Sequence, residues 1–240
     1  MKQIGIIVIR ELQSTFDSLM AYIMIVAFLG FSGFFTWLYG SDIFFIGQAS
    51  LQSFFSIAYW TLFFFIPALT MKLVAEEKKT GTLEMLLTKP VTDWQILWGK
   101  FLATLLLIII ALVLTMPYYI TEANLGKADH GAIITGYLAL ILMSASYISI
   151  GIFTSSLTNN QIVAFLLALL IGIFFHIIFS LLAANLTGII GGLFQYLSIS
   201  THFDSMSRGV IDSKDLIYFG SIIMLSMVGA EAVLAKRYMD

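Results

Sequence analysis

His130, His176 and His202 are the only imidazoles in this 240-residue chain, and no metal-ligand spacing joins them. Cysteine is absent, which removes thiolate nucleophiles, disulfides and cysteine-ligated metals. The phosphate loop G-x-x-x-x-G-K-[ST], the zinc motif H-E-x-x-H and the nucleophile elbow G-x-S-x-G do not occur. Gly188 and Gly192 form a G-x-x-x-G, which in an apolar setting serves close helix packing rather than ligand binding. The sequence therefore predicts no catalytic residues, no metal site and no cofactor bound by this chain.

Two ionisable groups fall inside apolar segments. A charge at mid-bilayer costs about 2.5–3.5 kcal/mol on insertion scales, so each is a candidate functional group. His176 lies deep in a long apolar run, where a neutral imidazole bonded to a neighbouring helix is favoured over a substrate contact. Glu231 lies close to Lys236, and a snorkelling or paired carboxylate is favoured there. Such sparse polarity speaks against a secondary transporter, which needs a relay of buried carboxylates.

The densest charge lies in residues 75–90, AEEKKTGTLEMLLTKP. Glu76, Glu77, Lys78 and Lys79 are expected in water at the end of an apolar segment. Gly81 permits a sharp change of direction. Leu83, Leu86 and Leu87 then share one helical face, with Glu84 and Thr88 opposite, and Pro90 stops the helix. The pattern predicts a short amphipathic helix lying across two helix ends, suited to docking a partner from the aqueous side.

The elements that hold this segment follow from composition. Hydrophobic residues make up 60% of the chain and charged ones 11%, with a mean hydropathy of +0.97. Soluble domains carry roughly a quarter charged residues, so the chain reads as an all-α polytopic membrane protein. A net charge of −2 supplies no basic field for nucleic acid. Six segments reach the ~20 residues a spanning helix needs: 19–39, 53–74, 93–119, 132–157, 160–182 and 216–235. Thr92-Asp93-Trp94-Gln95 has the capping-box form, and Thr158-Asn159-Asn160-Gln161 repeats it. Pro67 and Pro117 could kink the second and third spans.

Residues 1–18 read as an amphipathic helix in the membrane interface, with Ile9, Leu12 and Phe16 on its apolar face. The apolar run 4–9 is too short for a signal-peptide core, so this end is expected to remain on the mature protein. Residues 183–215 form an outer loop whose 15-residue apolar run, 186–200, suits a re-entrant piece better than a seventh span. With six spans and both termini inside, nine basic residues lie inside and three, Lys127, Arg208 and Lys214, outside, as the positive-inside rule requires. The chain is thus one transmembrane domain, residues 1–240, with no room for a folded soluble domain.

Residues 77–90, EKKTGTLEMLLTKP, resemble the E-x-x-x-G-T-[LI]-E-x-L-L-x-x-P segment of permease subunits in the ABC-2 group of ATP-binding-cassette transporters. The resemblance extends over essentially the whole chain. It implies the type V exporter fold, with 75–91 as the coupling-helix loop between spans two and three. The implied contacts to a cytoplasmic ATPase dimer are Glu76, Glu77, Lys78, Lys79, Thr80, Gly81, Thr82, Leu83, Glu84, Leu86, Leu87 and Lys89. ATP and Mg would belong to that partner. Residues 201–219, with 86–90 and 151–165, are more narrowly similar to the gliding-motility-associated permease, the F subunit of the Gld ABC complex. That family implies a bacterial inner-membrane complex and a second permease subunit with a large extracytoplasmic domain, a homodimer being the other arrangement. Membrane lipids are the remaining partner. The rival readings are a membrane scaffold recruiting a non-ATPase protein, and a channel or secondary transporter.

Overall fold

Apolar runs this long have no water-facing face, so the backbone must satisfy its polar groups within each segment, and helices result. The computed structural model describes residues 2–38, 51–82, 91–126 and 129–236. The described residues are helical throughout, with short connections and no strand. In chain order the helices are α1 (Lys2–Asp17), α2 (Leu19–Trp37), α3 (Gln52–Thr70), α4 (Ala75–Thr80), α5 (Asp93–Val113), α6 (Met116–Leu125) and α7 (His130–Leu157). There follow α8 (Gln161–Ile173), a π-helical turn at Phe174–Ile178, α9 (Phe179–Asn185), α10 (Gly188–Leu197), α11 (Ile199–Ser207) and α12 (Ser213–Lys236). Among the described residues, six helical stretches are long and apolar enough to cross a membrane: Leu19–Trp37, Gln52–Thr80, Asp93–Leu125, His130–Leu157, Gln161–Asn185 and Ser213–Lys236.

The fourth of these, α7, is the axis of the bundle. It is 78% buried across its apolar window, against 22% for the fifth span and 28% for the sixth. The second, third, fifth and sixth spans and α11 all pack on it. Small residues make this possible. Gly136 of α7 seats the Phe55 ring, and a Cβ at Gly151 would lie 1.9 Å from the Thr70 hydroxyl oxygen and 2.6 Å from its Cβ. Thr70 is fully buried and cannot withdraw. Gly151→Ala is therefore expected to wedge α3 from α7 and to lower stability by about 1–3 kcal/mol, the usual cost of overpacking, read as an earlier unfolding transition in detergent.

The local signals resolve individually. At Thr92 both halves of the capping box form: its hydroxyl accepts from the Gln95 N–H at 3.3 Å, and the Gln95 side chain accepts from the Thr92 N–H at 3.2 Å. At the start of α8 the predicted cap is displaced. Asn160 is the N-cap and accepts from the Ile162 N–H at 2.9 Å, while the Thr158 hydroxyl accepts from the Asn160 N–H at 3.1 Å. An Asn two residues on serves as well as a Thr, and it lies nearer the first free N–H groups. Pro117 opens α6 after a break at Leu114 and Thr115, so the third span bends and continues to Leu125, past the end at 119 expected for it. Pro67 lies inside α3 without ending it.

The apolar face expected on α1 is seen in part: Leu12 and Phe16 pack against the core. Ile7 and Val8 are buried whereas Ile9 is largely exposed. The reason is α5, on which α1 packs: Gly99 leaves a notch that Ile7 fills, since a Cβ there would lie 2.4 Å from Ile7 Cγ2.

Candidate functional site

The charged connection begins where α3 stops. Thr70 ends that helix, Met71 to Val74 form a turn, and α4 restarts at Ala75. A break inside a bundle leaves backbone groups without helical partners, and Ser155 of α7 takes three of them. Its oxygen accepts from the Val74 and Ala75 N–H groups at 3.1 and 3.0 Å, and its hydroxyl donates to the Met71 carbonyl at 3.0 Å. One residue on, the Ser156 carbonyl accepts from the Lys78 ammonium. The central helix thus grips the elbow directly. Gly81 ends α4 with φ +70°, a left-handed conformation that side chains with a Cβ seldom adopt.

On its other side the elbow carries a charge cluster. The Lys100 ammonium, 1% exposed, lies 2.7 Å from Glu77 Oε1 and 3.3 Å from Glu11 Oε1. Arg10 pairs with Glu11 at 2.5 Å and lies 3.8 Å from Glu77. Two cations and two carboxylates from α1, α4 and α5 therefore balance one another. Burial works against the charge of Glu11, but Lys100 and Arg10, through charge and hydrogen bonds, outweigh it and hold the carboxyl below the usual range. Beside the cluster opens a polar hollow of about 640 Å³, bordered by Ser14 and Ser18 of α1 and by Lys72, Glu76, Thr80 and Thr82 of the elbow.

The predicted contact residues separate into two groups. Glu76, Lys79, Thr80, Gly81 and Thr82 are exposed. Glu77 and Lys78 were expected in water but turn into their own chain, the one toward Lys100 and the other toward Ser156. The reason is electrostatic: Lys100 cannot stay charged inside α5 without a carboxylate at hand. Leu83, Glu84, Leu86, Leu87 and Lys89, with the amphipathic helix predicted for them, lie outside the described residues. Arg10, Glu11, Lys100 and Ser155 were not singled out as site residues in the sequence. A lysine seven residues into a capped apolar helix was the available signal for the cluster.

His176 is nearly fully buried in the π-helical turn of the fifth span. Its Nδ1 lies 2.7 Å from the Tyr147 hydroxyl of α7, and its ring stacks on Tyr59 and Phe63 with centroids 3.9 and 4.4 Å away. This matches an imidazole bonded to a neighbouring helix. Glu231 is partly exposed on α12, with no hydrogen bond or ion pair among the described residues.

The chain matches the model of the ABC-2 family transporter proteins over residues 11–233. It is also 30% identical over 93 residues to the probable multidrug ABC transporter permease YbhR of Escherichia coli (strain K12), and to the protein of that name in Escherichia coli O157:H7. The aligned stretch covers 39% of this chain and 25% of each relative's own length.

Proposed function

We propose that this chain, which belongs to the ABC-2 family of transporter proteins, is the permease subunit through which ATP hydrolysis by a separate cytoplasmic ATPase dimer drives movement across the bacterial inner membrane. The observation that carries this reading is the wiring of the elbow. One short charged segment is tied to α7 through Ser155 and Ser156, and to α1 and α5 through Lys100. A push on that segment is distributed to three helices at once. Glu76, Lys79, Thr80 and Thr82 supply the exposed polar contacts. Leu83, Leu86 and Leu87 pack into the ATPase groove, with Glu84 and Lys89 at its edge, as the resemblance to the coupling helix implies. Both termini face the cytoplasm in this arrangement.

Six spans are half of a membrane unit of this kind, so a second permease completes it. The sequence similarity over 201–219 favours a gliding-motility-type complex, with a partner that carries a large extracytoplasmic domain. The 30% identity to a probable multidrug permease favours a second reading, export of small molecules by a pair of like subunits. Mass analysis of the purified complex separates the two readings by the identity of the second membrane subunit.

The coupling role is tested by co-purification. Gly81→Pro and Glu84→Arg are expected to abolish recovery of the ATPase while leaving membrane insertion intact. Normal recovery with both variants would overturn the assignment, in favour of a scaffold for some other partner.

A further inference from the structure

At the end of the molecule opposite the elbow, three chain segments meet on one imidazole. His202 of α11 and Asp215 in the first turn of α12 are both buried, at 3% and 0% exposure. His202 Nδ1 lies 2.6 Å from Asp215 Oδ1, and Nε2 lies 3.0 Å from the Tyr196 carbonyl at the end of α10. The ring stacks on Tyr218, with centroids 4.0 Å apart and 21° between planes, and the Tyr218 hydroxyl donates to the Leu197 carbonyl at 2.6 Å. A carbonyl can only accept, so Nε2 must carry a proton, and a second proton must lie between Nδ1 and the carboxylate. With both protons the pair is neutral overall. With one fewer, a buried carboxylate or carbonyl loses its partner, and Asp215 Oδ2 already has none.

We infer that His202 and Asp215 are a positioning pair that fixes α11 and the end of α10 to the head of the sixth span, so that this outer segment moves with that span during transport. The assignment of motion rests on the transport reading above; the lock itself rests on geometry alone. α10 leans on α9 along its length, with Phe194 against Phe179, and its far end is joined to α11 and α12 through the Tyr196 and Leu197 carbonyls. Ile189, Ile190, Leu193 and Tyr196 are exposed along it, and Gly191 is its one buried residue. The lock therefore decides how α11 and the last turn of α10 sit on the head of α12. Other ionisable groups nearby on α11 and before α12 are Asp204 and Arg208, and the exposed Asp212–Lys214 ion pair. From the remaining elements come Tyr218, Tyr147 of α7, and Tyr59 with His176 beyond Phe203. Among the described residues, only Asp215 offers a carboxylate to the ring.

The absence of native cysteine makes the test direct. Spin labels at Ile189→Cys and Ile217→Cys, both exposed, report the separation of α10 from α12 by pulsed dipolar spectroscopy in nanodiscs. The unmodified pair is expected to give a narrow distance distribution. His202→Ala and Asp215→Leu lose the narrow population, while Asp215→Asn, whose amide can donate to Nδ1 of a neutral ring, keeps it. The exchanged variant His202→Asp/Asp215→His restores the narrow population. Recovery of the ATPase is unaffected throughout, since the elbow lies at the opposite end. A narrow distribution retained in His202→Ala or in Asp215→Leu, or a broad one in the unmodified pair, overturns the inference. The distances are read on this chain with and without ATPase, so loss of ATPase binding would count against the transport reading and leave this result standing.

Discussion

Lys100→Met is expected to destabilise the chain by about 3–5 kcal/mol, the range for removing one partner of a buried ion pair. The methionine fills the lysine's volume, so packing along α5 is kept. What is lost is the only buried cation between Glu11 and Glu77, whose carboxylates are themselves largely shielded, at 15% and 18% exposure. Arg10 is 45% exposed and reaches Glu77 only at 3.8 Å, so it replaces little of that charge. Unfolding in detergent, followed by intrinsic fluorescence, measures the loss. A triple variant, Lys100→Met with Glu11→Leu and Glu77→Leu, separates stability from coupling. Replacing a whole buried ionic group by apolar side chains is often neutral or stabilising. The triple variant should thus regain stability, yet on the proposed function the activity of the partner ATPase should no longer respond to assembly with it, because α1, α4 and α5 are no longer linked by charge. Retained coupling in the triple variant would reduce the cluster to a structural device.

The cluster also has a pH signature with a definite sign. Glu11 is held below its ordinary carboxylate range in the folded chain. The stability it contributes is therefore present above the unfolded value and is lost as pH falls through the lowered folded value. Acidification should loosen α1 from α5, and Glu11→Gln should remove that dependence.

Much of the architecture was legible because membrane helices announce themselves by length and apolarity. The six spans, the capping box at Thr92 and the turn at Gly81 depend on residues close together in sequence. What escaped depends on residues far apart. Glu11, Glu77 and Lys100 are joined only once α1 lies along α5, and a count of inner and outer charges assigned Lys100 to a side without asking how it stays charged inside a helix. The burial of Ile7 and Val8 on α1 escaped for the same reason. It answers to a notch at Gly99 as well as to the helix's own periodicity, which places Leu12 and Phe16 against the core. The tie between His202 and Asp215 spans 13 residues and a helix boundary, and neither residue declared itself by periodicity.

The elbow supplies the second large effect. Ser155→Ala is expected to leave the Val74 and Ala75 N–H groups and the Met71 carbonyl without partners, in a region where Val74 and Ala75 are buried. Each orphaned group costs about 1–3 kcal/mol unless water reaches it. Water entry is hindered, because Leu73, Val74 and Ala75 are packed beneath the turn. The chain's cheapest escape is to rebuild the turn, either continuing α3 into α4 as one straight helix or letting α4 unwind. In both cases Lys78 loses the Ser156 carbonyl and Glu77 swings away from Lys100, so the damage reaches the charge cluster as well. Hydrogen exchange at the amides of residues 73–80 reads this out. Ser155→Ala should raise exchange there while α7 itself stays protected. Ser155→Thr keeps the hydroxyl but adds a methyl group, and should fall between the two. If exchange at 73–80 is unchanged in Ser155→Ala, water already holds those amides and the grip of α7 on the elbow is not what sets its direction. If it rises and ATPase recovery falls with it, the direction of the elbow is what the partner reads.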